Sequence, residues 1–369
     1  MDNDPFKEYI KESEPDKRDK GYAWHTAIGL QAVDGLKTSE YLVRTAVRNI
    51  EGEITLEEAN ELLQSYYKEN PVSDASDRTE EADKVSARIA ALLAERAFSF
   101  TPNEYLSVHR KLFTGIYSHA GRIRDYNITK KEWVLDGATV IYGSATELRA
   151  TLDYDFSEEK KFSYKNLSMD EIIHHLAVFI SRLWQIHVFG EGNTRATAVF
   201  FIKYLRTLGF DVTNDIFAEN AWYFRNALVR ANYNDLKNRI YETTEYLEIF
   251  LRNLLLNENH PLHNRTLHIS GAFDGPEKVN IDEEKASKKA NIGKEKVNIE
   301  DVFTAKTASH IQKLREKLGP QEVFGRSDVQ RVLGLKATRS SALLREMAEH
   351  GIIEPVAGHG KGKYRFRQQ

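Results

Sequence analysis

The chain of 369 residues contains no cysteine. It therefore has no disulfide framework and no cysteine-based zinc site. No apolar run approaches the roughly 20 residues that a membrane-spanning helix requires. The first 20 residues are strongly charged and lack the apolar segment of a secretory signal. These absences lead us to expect a cytoplasmic protein that does not associate with membranes.

The chain also lacks a large net charge, because 52 Lys and Arg face 55 Asp and Glu, which leaves −3. The molecule as a whole is therefore not a polyanion binder. The last 69 residues differ, since 13 Lys and Arg stand there against 7 Asp and Glu. If the protein binds nucleic acid, we expect it to do so through this basic part.

Apolar residues recur mostly at helical spacing, which predicts a mainly α-helical protein. Residues 39–66 indicate two helices that are separated at Gly52, with Thr55 and Glu58 forming a capping box at the start of the second. A serine cap at Ser168 opens a long apolar helix. The other helices are predicted at about residues 79–115, 193–209, 217–231 and 242–257.

A small β-hairpin is predicted among these helices. Residues 132–135 and 138–142 are prone to form strands, and they flank the turn dipeptide Asp136-Gly137.

The C-terminal sequence predicts a helix at 327–333, a turn at Gly334, a helix at 338–350 and two strands around a basic glycine-rich turn. This order resembles a winged helix-turn-helix domain. The candidate major-groove residues are Lys336, Thr338, Arg339 and Ser341, and the candidate phosphate contacts on the wing are Lys361, Lys363 and Arg365. The alternative is a winged helix that serves protein contact or dimerisation.

The most unusual stretch is HVFGEGNTR, residues 187–195, a polar loop between two apolar helices. The helix that begins near Asn193 presents unpaired N–H groups and a positive dipole end, which favour an anion. Gly192 lets the backbone approach that anion, and Gly190 allows a tight turn. Arg195 adds a charged fork suited to phosphate oxygens.

Two further side chains of the 187–195 loop suggest chemistry. Glu191 fits a phosphate site if Mg²⁺ lies between the two. His187 is able to accept a proton near neutral pH. With Asn193 as a neutral donor, the loop suggests attack by a hydroxyl on a nucleotide phosphate. The alternative is an ordinary polar loop in a helical hairpin.

The spacing of His187, Phe189, Glu191-Gly192-Asn193 and Arg195 resembles the motif of the Fic family. Residues 106–128 and 243–255 resemble other parts of that family, so the likeness covers roughly residues 80–265. The resemblance implies an all-α domain with a β-hairpin flap. It also implies transfer of AMP from ATP to a Ser, Thr or Tyr hydroxyl of a target protein, whose identity is unknown and which could be the protein itself.

The resemblance also assigns roles to individual residues. His187 would be the general base, Glu191 would bind Mg²⁺, and Phe189 would anchor the loop in the core. Phosphate and nucleotide contacts would come from Gly190, Gly192, Asn193, Thr194, Arg195, Tyr223 and Asn232. The flap would clamp the target by strand addition through Val134, Leu135, Val140 and Ile141.

This sequence departs from the family pattern at Ala198, where a second arginine usually steadies the γ-phosphate and pairs with an inhibitory glutamate. Thr194 replaces the commoner glycine. The N-terminal block resembles a fused helical antitoxin, with Asp34 or Glu51 as the candidate inhibitory acid. Neither site has the usual hydroxyl, and Ala198 removes the usual cationic partner of either acid.

We therefore expect an antitoxin-like segment at 1–75, a Fic domain at 76–265, a charged linker at 266–300 and a winged helix-turn-helix at 301–369. The expected function is Mg²⁺-dependent, autoregulated protein adenylyltransfer. The alternative is a nucleotide-sensing, DNA-binding transcription regulator with a weak or inactive Fic site. A homodimer is a further expectation.

Overall fold

The computed structural model describes residues 15–71, 77–212, 215–270, 305–319, 322–335, 337–349, 352–356 and 363–367. The chain divides into two compact units, Met1–Asp282 and Glu283–Gln369. The prediction of a mainly α-helical protein is confirmed. Within the described ranges, no helix is both long enough and apolar enough to cross a membrane.

The described part of the first unit contains α-helices and short 3-10 helices. The α-helices are α1 Pro15–Gly29, α2 Glu40–Glu51, α3 Leu56–Glu69, α4 Thr79–Ala94, α5 Pro102–Phe113, α6 Leu148–Lys161, α7 Met169–Ile186, α8 Asn193–Thr207, α9 Ile216–Glu219, α10 Ala221–Arg230 and α11 Glu245–Leu256. The 3-10 helices are Leu30–Asp34, Trp133–Leu135, Leu236–Asn238 and Asn264–Leu267.

The helix ends follow the capping signals of the sequence. Thr55 and Glu58 form the predicted capping box of α3. Ser168 caps α7, and Glu171 completes a second capping box. Gly52 ends α2 in the left-handed region, with φ of 82°. Local sequence therefore determines where these helices begin and end.

Helix α8 forms the centre of the first unit, because every residue from Asn193 to Leu205 is buried. The N-terminal helices share this core: Trp24 in α1, Leu42 in α2 and Leu63 in α3 are fully buried in the same apolar cluster. The N-terminal segment is thus integrated into the unit.

The segment 132–142 reverses direction as the hairpin prediction requires. The Glu132 N–H donates to the Ala138 carbonyl at 2.9 Å, and Asp136 makes the turn with φ of 53°. The first arm, however, is the 3-10 turn Trp133–Leu135 instead of a strand. Val134 and Leu135 are consecutive and both buried, so this arm does not show the alternation of a strand with one exposed face.

The second unit combines three described helices with a three-stranded antiparallel sheet of order β1-β3-β2. The elements are α12 Ala305–Leu318, β1 Phe324–Gly325, α13 Arg326–Leu333, α14 Ala337–Glu349, β2 Ile353–Pro355 and β3 Lys363–Phe366. Gly334 turns between α13 and α14 with φ of 69°. Phe324 and Phe366 pack against each other in the core of this unit at 5.0 Å between ring centroids.

Candidate functional site

The 187–195 loop joins the end of α7 to the start of α8. His187 closes α7 in the left-handed region, with φ of 50°. The buried side chain of Arg124 holds this turn, because its Nε donates to the His187 carbonyl at 2.7 Å. The Arg124 backbone N–H donates to the Val188 carbonyl at 2.9 Å. A cation distant in sequence therefore fixes the direction in which the loop leaves α7.

The middle of the loop is closed by a side-chain amide. The Asn193 side chain accepts from the Phe189 N–H at 3.0 Å and donates to the Phe189 carbonyl at 2.8 Å. Phe189 is fully buried and stacks on His109 at 3.7 Å. The Asn193 amide thus shapes the loop, and only the backbone N–H of this residue remains for the predicted anion contact.

His109 supports the same loop from α5. Its Nδ1 accepts from the Gly121 N–H, so its Nε2–H donates to the Glu191 carbonyl at 2.9 Å. Burial lowers the pKa of His109 to about 3. This histidine is therefore a neutral support of the loop at physiological pH.

Gly192 is required both by space and by backbone conformation. A Cβ on Gly192, whose φ is 74°, would lie 2.5 Å from the buried Phe113 ring. A Cβ on Gly190 would lie 2.6 Å from the Tyr126 hydroxyl, the far end of an exposed side chain that is able to move aside. φ at Gly190 is not positive, so the tight turn predicted there does not depend on a left-handed conformation.

His187 is buried between two aromatic rings, with centroids 4.3 Å from Tyr142 and 5.1 Å from Trp184. Its Nδ1 lies 3.3 Å from the Trp184 carbonyl. A carbonyl only accepts, so Nδ1 carries the proton and Nε2 carries the lone pair. Within the described residues, this buried Nε2 has no hydrogen-bond partner.

The environment keeps the His187 imidazole neutral. Burial is the largest cause that lowers its pKa well below the usual value, and the charges of Lys130, Arg225 and Arg124 act in the same direction. A neutral imidazole with an unpaired Nε2 is able to accept a proton. The predicted general base thus has the right tautomer for that role.

Glu191 is the exposed acid of the loop, with its side chain 53% exposed. Its carboxylate lies 3.5 Å from the Lys130 ammonium, a loose contact. Within the described ranges, no three His, Asp or Glu side chains form a ready-made metal site. A single accessible carboxylate fits Mg²⁺, which is commonly held by one or two carboxylates together with substrate phosphates.

Arg195 is fully buried and surrounded by partners. Its Nε lies 2.8 Å from Asp34, an ion pair without hydrogen-bond alignment. Its Nη1 donates to Gln31 at 3.0 Å. Its Nη2 donates to Glu81 at 2.7 Å and to the Tyr117 hydroxyl at 3.1 Å. All three guanidinium nitrogens are thus engaged inside the protein.

Both acids at Arg195 are charged. Burial would raise the pKa of Asp34, but the charges of Arg195, Lys130 and Arg225 outweigh it, so this pKa lies below its usual range. Burial opposes ionisation of Glu81 as well, and the hydrogen bond from Arg78 together with the charge of Arg195 lowers its pKa. Arg195 therefore lies between two carboxylates, and one of them, Glu81, also pairs with the Arg78 guanidinium at 2.7 Å.

The two candidate inhibitory acids have different surroundings. Ala198 removes the usual cationic partner of Asp34, as expected from the sequence, and Asp34 pairs instead with Arg195. Ala198 itself is fully buried. Glu51 pairs with Lys17 at 2.7 Å, and its side chain is 36% exposed.

Three predicted nucleotide-binding side chains are used in packing. The Thr194 hydroxyl accepts from the Trp184 indole at 3.0 Å. The Asn232 amide donates to the Ser181 carbonyl at 3.0 Å and so ties the end of α10 to α7. Tyr223 is buried, and burial raises its pKa. Their nucleotide contacts remain predictions.

The flap residues divide into two groups. Val134, Leu135 and Val140 are buried, whereas Ile141 is 84% exposed. The flap also contacts the base, because Tyr142 packs on His187 and donates to the Glu132 carboxylate at 2.9 Å.

In the second unit, only some of the predicted DNA contacts are described. Lys336 and Lys361 lie outside the described residues, and Thr338 lies in α14. Ser341 is exposed on the same helix. Arg339 pairs with Glu346 at 2.9 Å, and Lys363 lies 3.7 Å from Asp328.

Reasoning from the sequence missed Gln31, Glu81, Tyr117, Arg124 and Tyr142. The partners of Arg195 are 164, 114 and 78 residues away along the chain. Glu81 begins a run of mostly buried residues in α4, whereas Arg124 lies among exposed and half-buried neighbours.

No curated protein matches the chain. Among solved structures, it is similar to a Fic family protein from Desulfovibrio desulfuricans G20, with 13% identity and a TM-score of 0.40 over 95% of this chain and 88% of that one. The model of the Fic/DOC family matches residues 99–205, which include the flap segment and the whole 187–195 loop. Residues 99–205 of this protein are therefore a Fic/DOC family domain.

Proposed function

We propose that the first unit is a Mg²⁺-dependent adenylyltransferase that transfers AMP from ATP to a Ser, Thr or Tyr hydroxyl of a target protein. Proteins with a Fic domain are typically transferases. The observation that carries the proposal is the buried, unpartnered Nε2 of His187 at the loop that opens α8.

In the proposed step, His187 Nε2 accepts the proton of the target hydroxyl. The hydroxyl oxygen then forms a bond to the α-phosphorus, and the bond from that phosphorus to pyrophosphate breaks. No side chain caps the N-terminus of α8, so the N–H groups of Gly192, Asn193 and Thr194 are suited to hold the phosphate oxygens.

Glu191 is the residue that would hold the metal. Mg²⁺ bound there would neutralise charge on the phosphates. Lys130 would have to yield its 3.5 Å contact with Glu191, which is loose enough to exchange.

Arg195 would serve the phosphates only after it leaves at least one internal partner. Asp34 and Gln31 belong to the 3-10 helix that follows α1. We infer that this short helix restrains the enzyme, with Asp34 as the inhibitory acid. The contacts of Asp34 with Arg195 and of Glu51 with Lys17 support this choice.

Target binding is assigned to the flap. Ile141 is exposed beside Tyr142, which packs on the base, so a target segment laid along residues 138–142 would place a hydroxyl near His187. Backbone pairing of this kind requires no particular target sequence.

The test is incubation of the intact chain with α-labelled ATP and Mg²⁺, using a lysate and the protein itself as acceptors. His187→Ala should lower label transfer by about 10²–10⁴-fold, the usual contribution of a general base. His174→Ala is the matched control, since His174 is 62% exposed and pairs with Glu248. Equal labelling by wild type and His187→Ala would overturn the proposal.

A second candidate function is DNA binding by the second unit in a nucleotide-sensing regulator. Its order of helix, strand, two helices and two strands, with an antiparallel sheet, supports a winged helix-turn-helix. We expect DNA affinity to fall steeply between low and moderate salt. Arg339→Ala and Lys363→Ala should weaken binding, and Arg44→Ala, at an exposed arginine of α2, should not. Absence of binding at low salt would refute this function.

A further inference from the structure

A cavity of about 590 Å³ lies at the C-terminal end of α5 and is lined by residues from α5 and the segment that follows it. Its walls include Arg110, Tyr117, Ser118 and Arg122. Small-molecule sites commonly enclose roughly 300–1,000 Å³. The cavity is therefore of ligand size, and its walls contain no residue of the 187–195 loop.

Arg110 and Arg122 both border this cavity. Arg122 directly follows Gly121 in the sequence, and the Arg110 side chain lies close to Gly121 in space. A Cβ on Gly121, whose φ is 72°, would lie 2.9 Å from the Arg110 Nε, so the Arg110 side chain lies directly over the backbone that precedes Arg122. Within the described residues, neither arginine forms an ion pair. Two like charges at one cavity leave a positive potential that an anion relieves.

The C-terminal end of α5 carries a partial negative charge, but this charge does not cancel the positive potential of the two arginines. Carbonyls in its last turn would favour cations, but three of them already accept hydrogen bonds. Arg110 O accepts from the Thr114 N–H at 3.0 Å, Leu112 O from Arg88 at 2.8 Å, and Phe113 O from the Ile116 N–H at 2.9 Å.

We propose that this cavity is a second ligand site, which binds a phosphate-bearing small molecule between Arg110 and Arg122. Guanidinium forks match phosphate oxygens in a bidentate manner, and the Ser118 hydroxyl offers a neutral donor. The site is independent of the reaction proposed for His187.

The cavity also borders the Arg195 network. Tyr117 lines the cavity, while its hydroxyl donates to Glu81 at 2.6 Å and accepts from Arg195 at 3.1 Å. An occupant that contacts the Tyr117 ring is thus one side chain away from the buried guanidinium.

The experiment is calorimetric titration of the full chain with inorganic pyrophosphate in the absence of divalent metal. Arg110→Gln combined with Arg122→Gln should weaken binding by about tenfold or more, because two charge-assisted contacts are lost. Both side chains are exposed, so the double variant should keep its fold, which circular dichroism checks. Arg149→Gln, at an exposed arginine of α6, is the matched control and should bind as wild type does.

Each other outcome counts against the site. Unchanged affinity in the double variant would place pyrophosphate elsewhere, for example at the start of α8. No binding to wild type at millimolar pyrophosphate would overturn the proposal. Binding of a hexaglutamate peptide without any binding of pyrophosphate would identify the cavity as an acidic-peptide site and would also refute it.

Discussion

The two ends of the 187–195 loop differ in how their functional side chains are held. His187 is neutral, and its Nε2 has no partner within the described residues. Arg195, eight residues later, is fully buried and contacts Asp34, Gln31, Glu81 and Tyr117. Under the proposed function, His187 is ready to accept a proton, while Arg195, the proposed phosphate-binding cation, is held by internal partners. Exchange of the partners of Arg195 would then control the site.

The largest effect should come from removal of Arg195. Arg195→Met leaves Asp34 without its cationic partner, whereas Glu81 keeps its ion pair with Arg78, so we expect a loss of about 3 kcal/mol in the free energy of unfolding, the low end of the cost of breaking a buried ion pair. Urea denaturation measures it. Arg149→Met, on exposed α6, is the control and should change stability little. A midpoint equal to that of wild type would show that Arg195 is not held as described.

Removal of Asp34, one of the partners of Arg195, should instead release the Arg195 side chain. Asp34→Ala leaves Arg195 with Glu81, Gln31 and Tyr117, so we expect more label transfer from α-labelled ATP. Coupling between sites typically amounts to about 5–150-fold, and the rise should fall in that range.

Glu51→Ala is the matched control for Asp34→Ala, because Glu51 pairs with the exposed Lys17. If Glu51→Ala activates and Asp34→Ala does not, the assignment of the inhibitory acid is reversed.

His187, at the other end of the 187–195 loop, can be tested by the pH dependence of the reaction. Because the pKa of His187 is lowered, the base stays unprotonated on mild acidification. The acid limb of the kcat/KM profile should therefore lie well below pH 6.5, the ordinary value of histidine being about 6.5. A half-maximal rate near pH 6.5 would contradict the buried, neutral imidazole.

The free energy of unfolding should also depend on the lowered pKa of His187. Below about pH 6.5 the unfolded chain binds a proton at His187 that the folded chain does not, so the free energy of unfolding should fall as pH falls through that value. The fall should be smaller in His187→Phe, compared by thermal unfolding across pH. An equal fall in both proteins would assign it to other groups.

The smallest expected effect concerns Thr194. Thr194→Val removes the hydroxyl that accepts from the Trp184 indole and should cost about 1–2 kcal/mol of stability, since a buried donor loses its partner. The backbone N–H remains, so label transfer should change little. A large loss of activity at unchanged stability would show that the hydroxyl itself contacts the nucleotide.

Features that depend on neighbours in sequence were predictable. The capping box at Thr55, the serine cap at Ser168 and the loop between two apolar helices were all found from short patterns. The predicted strand at 132–135 failed because Trp133–Leu135 forms a 3-10 turn, in which the Asp136 N–H donates to the Trp133 carbonyl at 3.0 Å, so local strand propensity is overridden.

In the candidate functional site, only the residues of the 187–195 loop could be predicted, because their distant partners depend on tertiary packing. His187 and Glu191 lie in one loop, whereas Gln31 and Glu81 reach Arg195 only after the whole unit has folded. Nothing in a window around Arg195 indicates those partners. Asp34 pairs with Arg195, the first arginine of the motif, because Ala198 stands where the second arginine usually lies. This pairing likewise depends on the three-dimensional packing.

Helices α1, α2 and α3 share the core of the unit that contains the 187–195 loop, with Trp24, Leu42 and Leu63 fully buried in it. If this segment restrains the enzyme as proposed, it acts at a fixed effective concentration. Dilution of the protein does not release it, and a competing copy added in solution would have to displace a folded part of the same molecule. The ratio of restrained to active molecules is therefore set by the stability of the contacts around Asp34 and is independent of how much protein is present.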